Sequence, residues 1–183
     1  MINNKNPRPL PDFLGIGTQR SGTTWLYRHL SMHPEIWMPP IKEIHYFDRL
    51  YSSNRFGNTE KLFRDLKKRY QAYKSPAAMP ENRRPNLRWD MIYFFRYPDI
   101  KWYSSLFIPG TAKITGEITP EYMRLDRKVV EKIYTHNPQL KIIFIMRDPI
   151  DRAWSAAIKY LAKTKRRDAR TISDDEFLGF IQQ

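Results

Sequence analysis

Short apolar runs alternate along this chain with longer stretches in which apolar residues return every third or fourth position. The runs Phe13–Gly17, Ile36–Met38, Ala112–Glu117 and Lys141–Met146 predict strands, and the helical period predicts helices over Thr23–Met32, Thr59–Tyr73, Asp99–Phe107, Arg127–Thr135 and Pro149–Lys163. Asp174–Ile181 is a short amphipathic stretch, and Ser75–Arg88, with three prolines, reads as a loop that either lines a cleft or runs over the surface. Within Thr59–Tyr73, Leu62, Phe63, Leu66 and Tyr70 share helical spacing, so they are expected in the core with Lys and Arg on the other face. Strands alternating with helices imply an α/β fold, a parallel sheet joined by right-handed crossovers.

The segment Lys141–Leu161 carries the most local logic. Ile142–Met146 is a continuous apolar run, as expected of a strand buried on both faces. Arg147 follows at its carboxyl end, where ligands bind in open α/β sheets. Asp148 suits an N-cap and Pro149 the first helical position. Ile150, Ala153, Trp154, Ala157, Ile158 and Leu161 then form an apolar stripe, while Arg152, Ser155 and Lys159 fall on a different, polar face. Arg147 and Ser155 are therefore within reach of one anion; Arg152 reads as a salt-bridge partner or part of a solvated face.

A second candidate site opens the chain. After Phe13–Ile16, a loop runs from Gly17 to Gly22, and a helix begins at Thr23. The spacing Gly17-x4-Gly22-Thr23-Thr24 is the frame of a phosphate-binding loop, in which backbone N–H groups and a helix N-terminus hold the anion. Nucleoside-triphosphate loops put lysine where this chain has Thr23, and the cation stands inside the loop instead, at Arg20. The loop suits an anionic nucleotide other than the β/γ-phosphates of ATP. Taken alone, it could also be an ordinary Gly/Ser turn.

Thr18–Leu26, TQRSGTTWL, resembles the 5′-phosphosulfate loop of the sulfotransferases, usually PKSGTTWL, with Gln19 in place of proline and Arg20 in place of lysine. Three further segments resemble the family in order. Lys42–Phe47, KEIHYF, is similar to the KExHFF segment of the carbohydrate sulfotransferases, including the heparan sulfate enzymes. Gly116–Tyr122, GEITPEY, is similar to GEKTPxY, with Ile118 where lysine is common; Lys141–Ser155 resembles the unit that holds a 3′-phosphate. The resemblance implies a sulfotransferase-like α/β fold, a P-loop-type parallel sheet flanked by helices on both faces. It also implies 3′-phosphoadenosine 5′-phosphosulfate (PAPS) as donor and PAP as product. Arg20, Ser21, Gly22, Thr23, Thr24 and Trp25 would hold the 5′ end, and Arg147 and Ser155 the 3′-phosphate. Glu43 would be the base that deprotonates the acceptor, Arg20 would stabilise developing charge, and His45 is the alternative base. Without the family match, Lys42-Glu43-Ile44-His45 reads as a polar turn rather than a catalytic segment.

Composition adjusts this picture at its edges. The chain has 183 residues, enough for one domain with a core, and 32 Lys+Arg against 19 Asp+Glu, a net charge of +13. That balance suits a polyanionic nucleotide and an anionic acceptor. It would also suit nucleic acid, but the cations are scattered, and the densest run, Lys163–Arg170, reads as a solvated helix end; no nucleic-acid partner is expected. Absence of cysteine excludes disulfides and thiolate chemistry. The histidines at 29, 33, 45 and 136 show no metal-ligand spacing, and no metal is expected. Residues 1–12 are polar and proline-rich, and no apolar run is long enough to cross a bilayer, which makes a soluble cytoplasmic protein the simplest expectation.

The reading is a PAPS-dependent sulfotransferase acting on a hydroxyl or amine of a carbohydrate-type acceptor, residues 1–183 forming one domain. Family members continue beyond the 3′-phosphate helix with a basic, glycine-containing loop, and nothing after Ser155 resembles it. A C-terminally incomplete domain is therefore expected. A non-catalytic PAP/PAPS-binding remnant and a P-loop small-molecule kinase are the alternatives.

Overall fold

The computed structural model describes residues 10–50, 59–76, 84–165, 168 and 171–181. Four strands, β1 (Phe13–Gly15), β2 (Ile36–Trp37), β3 (Ile114–Ile118) and β4 (Lys141–Ile143), form a sheet in the order β2-β3-β1-β4, and every pairing is parallel. In register, Phe13 faces Gly116 on one side and Lys141 on the other. The helices are α1 (Thr23–Met32), α2 (Thr59–Lys74), α3 (Leu87–Phe95), α4 (Ile100–Ser105), α5 (Arg127–His136), α6 (Pro149–Lys165) and α7 (Asp174–Ile181).

Side chains alternate across a strand, and the two halves of the core follow from that alternation. Phe13 and Ile118 pack with Tyr27 of α1 and Met38 in a small cluster on one face. Leu14 turns to the other face, into a larger, aromatic cluster that includes Trp37, Tyr46, Phe47, Trp89, Trp102, Tyr103, Phe107 and Tyr122. Both faces of the sheet are thus covered, as the α/β expectation requires.

Three expectations about burial fail. Ile142 is exposed because β4 lies at the sheet edge and pairs with β1 alone among the described strands, and Met146, 78% exposed, lies beyond the strand, which ends at Ile143. The α6 stripe is covered only in part: Leu161 is buried and Trp154 packs on Phe177 of α7 at 3.7 Å between centroids, but Ile150 is exposed. On α2, Phe63, Leu66 and Tyr70 face outward, and the buried residues are Asp65, Arg69 and Ala72. A buried ion pair overrides the apolar pattern there. Arg69 donates from Nε and Nη2 to the two carboxylate oxygens of Asp90 at 2.6 and 3.0 Å, and Tyr73 Oη donates to Asp90 Oδ2 at 2.8 Å. These bonds fix α2 against α3.

Helix α3 itself begins within the region expected to be loop. The Asn86 side chain accepts from the Trp89 amide at 3.0 Å, an N-cap directly after Pro85 that starts the helix at Leu87. Residues 77–83 of the same loop, half of Lys163–Arg170 and residues 1–9 lie outside the described residues.

Candidate functional site

The loops after all four strands meet at the carboxyl edge of the sheet. Ile16–Gly22 is tied to the β4 side by Ile16 N to Ile143 O at 2.9 Å and Thr18 N to Ile145 O at 3.3 Å. Gly17 is required by that approach, since a Cβ there would stand 2.8 Å from the Ile145 nitrogen. Gly22 adopts φ 86°, the left-handed region glycine enters without cost, and α1 starts at the next residue. Leu26 N donates to Gly22 O at 3.0 Å, which leaves the amides of the first turn directed into the loop.

A cavity of about 380 Å³ lies over this loop, lined by Arg20, Gly22, Thr23, Thr24, Arg147 and Ser155 of the expected nucleotide residues and by Glu43. Gln19, Lys42, Pro120, Glu121 and Lys159 complete it. Ser21 is buried beneath the loop, its hydroxyl paired with that of Thr18. Trp25 is not brought to the cavity: it is 63% exposed, and its ring lies on His29, one turn away. The reason is helical geometry, since Trp25 falls on the outer face of α1 while Thr23 and Tyr27 point inward. Arg152 is likewise outside the lining, and Lys159, one turn beyond Ser155, is inside it.

Arg20 does not point at the loop's mouth. Its Nε and Nη2 both donate to Ser155 Oγ, at 3.0 and 2.7 Å. Arg147 Nη1 donates to the Arg20 carbonyl at 3.3 Å, and its Nη2 lies 3.7 Å from Asp151 Oδ2. Asp148 caps α6, accepting from the Ile150 and Asp151 amides at 2.9 and 3.2 Å. Arg20, Arg147, Ser155 and Lys159 therefore form a cationic end of the cavity.

At the other end Glu43 and His45 share a short loop between β2 and a 3-10 turn at Phe47–Arg49. Both have left-handed backbone, φ 62° and 59°, and so does Arg20 at 69°. Among the described residues these are the non-glycine residues with positive φ. Each such residue costs on the order of 1 kcal/mol, a strain that surrounding structure must hold in place. The anchors are visible. Glu43 N donates to Ile118 O at 3.2 Å, and the Tyr46 and Phe47 amides donate to Tyr122 Oη at 2.9 and 3.4 Å.

Tyr122 is itself held by Glu117, 2% exposed on β3. Glu117 accepts from Tyr103 Oη at 2.6 Å, Tyr122 Oη at 2.9 Å and Thr119 Oγ1 at 2.9 Å. Burial pushes its carboxyl above the usual range, with the three hydroxyl donors and the charge of His45 acting in the opposite sense.

His45 Nδ1 lies 2.7 Å from Asp48 Oδ2, and its Nε2 lies 4.0 Å from Glu43 Oε2. Asp48 thus orients the ring toward Glu43, a role the sequence signals only as a carboxylate three residues on in the 3-10 turn. Burial raises the Glu43 carboxyl, but the Lys42 hydrogen bond and charge, with smaller contributions from His45 and Lys61, bring it below the ordinary 4.5. Glu43, His45 and Glu121 bring ligand atoms within 4.8 Å of one another, a donor set suited to a cation, though Lys42 Nζ already stands 2.5 Å from Glu43 Oε1. Glu121 accepts from Gln19 Nε2 at 2.5 Å.

Beyond Glu43 a second, larger cleft of about 750 Å³ opens between α1 and α2. Thr24, Lys42 and Glu43 line both spaces, so the cleft is continuous with the loop cavity. Its walls carry Arg28, Lys61, Arg64, Lys67 and Lys68.

A parallel sheet with a glycine-framed loop after its first strand, and a cationic pocket at its carboxyl edge, where open α/β sheets bind their ligands, defines an α/β protein of the phosphate-loop type. Residues 11–181 match the model of the sulfotransferase family, and the chain belongs to that family. It is 26% identical over 159 residues to Membrane-associated sulfotransferase kil1 of Dictyostelium discoideum, covering 85% of this chain and 25% of that protein. Against Heparan sulfate glucosamine 3-O-sulfotransferase 6 of Homo sapiens it is 26% identical over 159 residues, covering 86% and 32%. A sulfotransferase crystal structure from Alicyclobacillus acidocaldarius superposes with a TM-score of 0.51 at 26% identity, covering 90% of this chain and 54% of that one. The chain thus spans about a quarter to a third of these curated relatives. No helix among the described residues is long and apolar enough to cross a membrane.

Proposed function

We propose that this protein transfers a sulfuryl group from PAPS to a hydroxyl or amine of an acidic carbohydrate. The observation that carries the reading is the arrangement of one nucleotide-sized cavity with cations at one end and a strained, ionised Glu43 at the other, opening onto a basic cleft. The residues fit a nucleotide that is anionic at both ends. Thr23, Thr24 and the first-turn amides of α1 suit the 5′ end. Arg147, Ser155 and Lys159 suit a 3′-phosphate, with Arg20 shared between the loop and Ser155.

The donor supplies the sulfonate, and the chain supplies position, charge and a base. Glu43 takes the acceptor's proton as the acceptor oxygen or nitrogen attacks sulfur, a contribution of about 10²–10⁴-fold for a positioned general base. Asp48 and His45 hold the far side of Glu43. Glu121 Oε2 is buried without a hydrogen-bond partner among the described residues, and an acceptor hydroxyl would satisfy it. Arg28, Lys61, Arg64, Lys67 and Lys68 favour an acceptor that carries negative charge of its own.

Transfer of labelled sulfonate from PAPS to partially desulfated heparin, beside a neutral polysaccharide, tests the reading. Label is expected in the acidic polymer. Turnover of Mg²⁺–ATP in place of PAPS would reassign the chain as a kinase, and PAP binding with no transfer to either polymer would leave a binding protein.

A further inference from the structure

Lys42 stands where the loop, the carboxylate and both cavities meet. Its Nζ donates to Thr23 Oγ1 at 3.3 Å and to Glu43 Oε1 at 2.5 Å, and its side chain is 15% exposed. Thr23 occupies the position at which a nucleoside-triphosphate loop has its lysine. Ile118, where lysine is common in the family's GEKTPxY segment, is buried in the sheet cluster and offers no charge. Of the cations that line the loop cavity among the described residues, Arg20 is forked onto Ser155, Arg147 donates to the Arg20 carbonyl, and Lys159 stands one turn beyond Ser155 on α6. Lys42 alone among them stands at the Thr23 end. The chain brings back, from the neighbouring loop, an ammonium that two customary positions lack.

We propose that Lys42 is a catalytic cation, its ammonium contacting the transferring sulfonate against Thr23 and leaving Glu43 as it does so. The inference rests on the sulfotransferase reading. An ammonium on a four-carbon stem can exchange one oxygen partner for another; the Arg20 guanidinium, forked onto Ser155, is fixed. The sulfonate and 5′-phosphate bring negative charge to the N-terminus of α1, and Lys42 lies within one side chain's swing of both acceptors. Once Lys42 has turned, Glu43 faces His45, Lys61 and Glu121, and its basicity rises as it meets the acceptor. The acceptor's proton then goes to a Glu43 oxygen and the acceptor atom bonds to sulfur. The bond from sulfur to the bridging oxygen breaks, and its electron pair stays on the 5′-phosphate of PAP. Lys42 offsets charge growing on the sulfonate oxygens throughout.

Equilibrium binding of PAPS and of PAP, in the absence of acceptor, tests the contact, because only PAPS carries the sulfonate. Lys42→Met is expected to weaken PAPS about tenfold or more while PAP stays within about threefold, as befits one lost charge-assisted hydrogen bond. Transfer to partially desulfated heparin should fall by about a hundredfold. Lys42→Arg keeps the charge and should hold the preference for PAPS. Lys42→Gln serves where the Met variant melts early. Equal losses of PAPS and PAP affinity in the Met or Gln variant, or PAPS binding unchanged in both, would overturn the role. Wild-type protein that binds neither nucleotide would instead overturn the sulfotransferase reading on which it stands.

Discussion

Tyr122 accepts the backbone amide of Tyr46 through its hydroxyl while giving its own proton to Glu117, each at 2.9 Å. A buried carboxylate on the central sheet thereby reaches, through one tyrosine, the loop on which Glu43 and His45 sit. Glu117→Ala leaves the Tyr103 and Tyr122 hydroxyls without their acceptor and is expected to cost roughly 3 kcal/mol in urea unfolding. Glu117→Gln costs less, since one amide oxygen can take both tyrosines while the NH₂ donates to Thr119 Oγ1. The raised carboxyl means the folded state holds this proton more tightly than the unfolded chain. Its contribution to stability is full below the unfolded value and is lost as pH rises through the folded one. The Gln variant should therefore gain on wild type as pH rises; a gap constant with pH would contradict the raised carboxyl.

The 3′-phosphate assignment predicts a ratio of affinities. PAP should bind better than AMP by about tenfold to a hundredfold, the range of one or two charge-assisted hydrogen bonds. Arg147→Ala and Ser155→Ala should each shrink that ratio. Calorimetry with both nucleotides decides the point, and equal affinity would remove Arg147 and Ser155 from the nucleotide site.

Sequence alone made much of this legible. Helix α1 over Thr23–Met32 and helix α7 over Asp174–Ile181 begin and end where the apolar period does, and the cap at Asp148 and Pro149 forms as the residue types require. The parallel order and the meeting of Arg20, Glu43, Arg147 and Ser155 at one edge follow from motifs placed after strands. What the sequence hid was decided by tertiary partners. The outward turn of Phe63 depends on the Arg69–Asp90 pair, and Asp90 lies in a helix with little apolar periodicity of its own. The exposure of Ile142 depends on β4 ending the sheet, which no local pattern encodes. The pairing of Arg20 with Ser155 joins residues 135 apart, beyond any spacing rule.

Glu43→Gln keeps size and hydrogen bonding and removes the base. PAP affinity should survive, and transfer should fall by about two orders of magnitude or more. A His45→Ala variant that loses all transfer, beside a Glu43→Gln variant that keeps it, would move the base to histidine.

The acid side of the rate profile carries its own expectation. The Glu43 carboxyl lies below 4.5, with Lys42, His45 and Lys61 offsetting burial. A depressed carboxylate stays ionised at neutral pH, and its function is lost only as pH falls through the folded value. The kcat/KM of the free protein should not follow Glu43 at neutral pH. Lys42→Met leaves burial opposed only by His45 and Lys61, so the acid limb should move upward.

The α2 wall of the basic cleft predicts an effect on acceptor alone. Reversing charge at Arg64 and Lys68 together should raise the KM for partially desulfated heparin several-fold, more at low salt than at high, and leave PAP affinity unchanged. Steady-state kinetics at two ionic strengths reads both effects. A uniform loss across nucleotide and acceptor would place these residues in the nucleotide site.

Left-handed backbone at Arg20, Glu43 and His45 sets two kinds of selection against each other. Glycine at any of the three would relax the chain and favour the folded state, yet each replacement removes a side chain on which the proposed chemistry depends. A screen that rewards thermal resistance alone should therefore collect glycine at these positions and return sturdier, inert proteins. Engineering for durability is better directed to the buried supports, Glu117, Tyr122 and the Arg69–Asp90 pair, where firmness and turnover pull the same way.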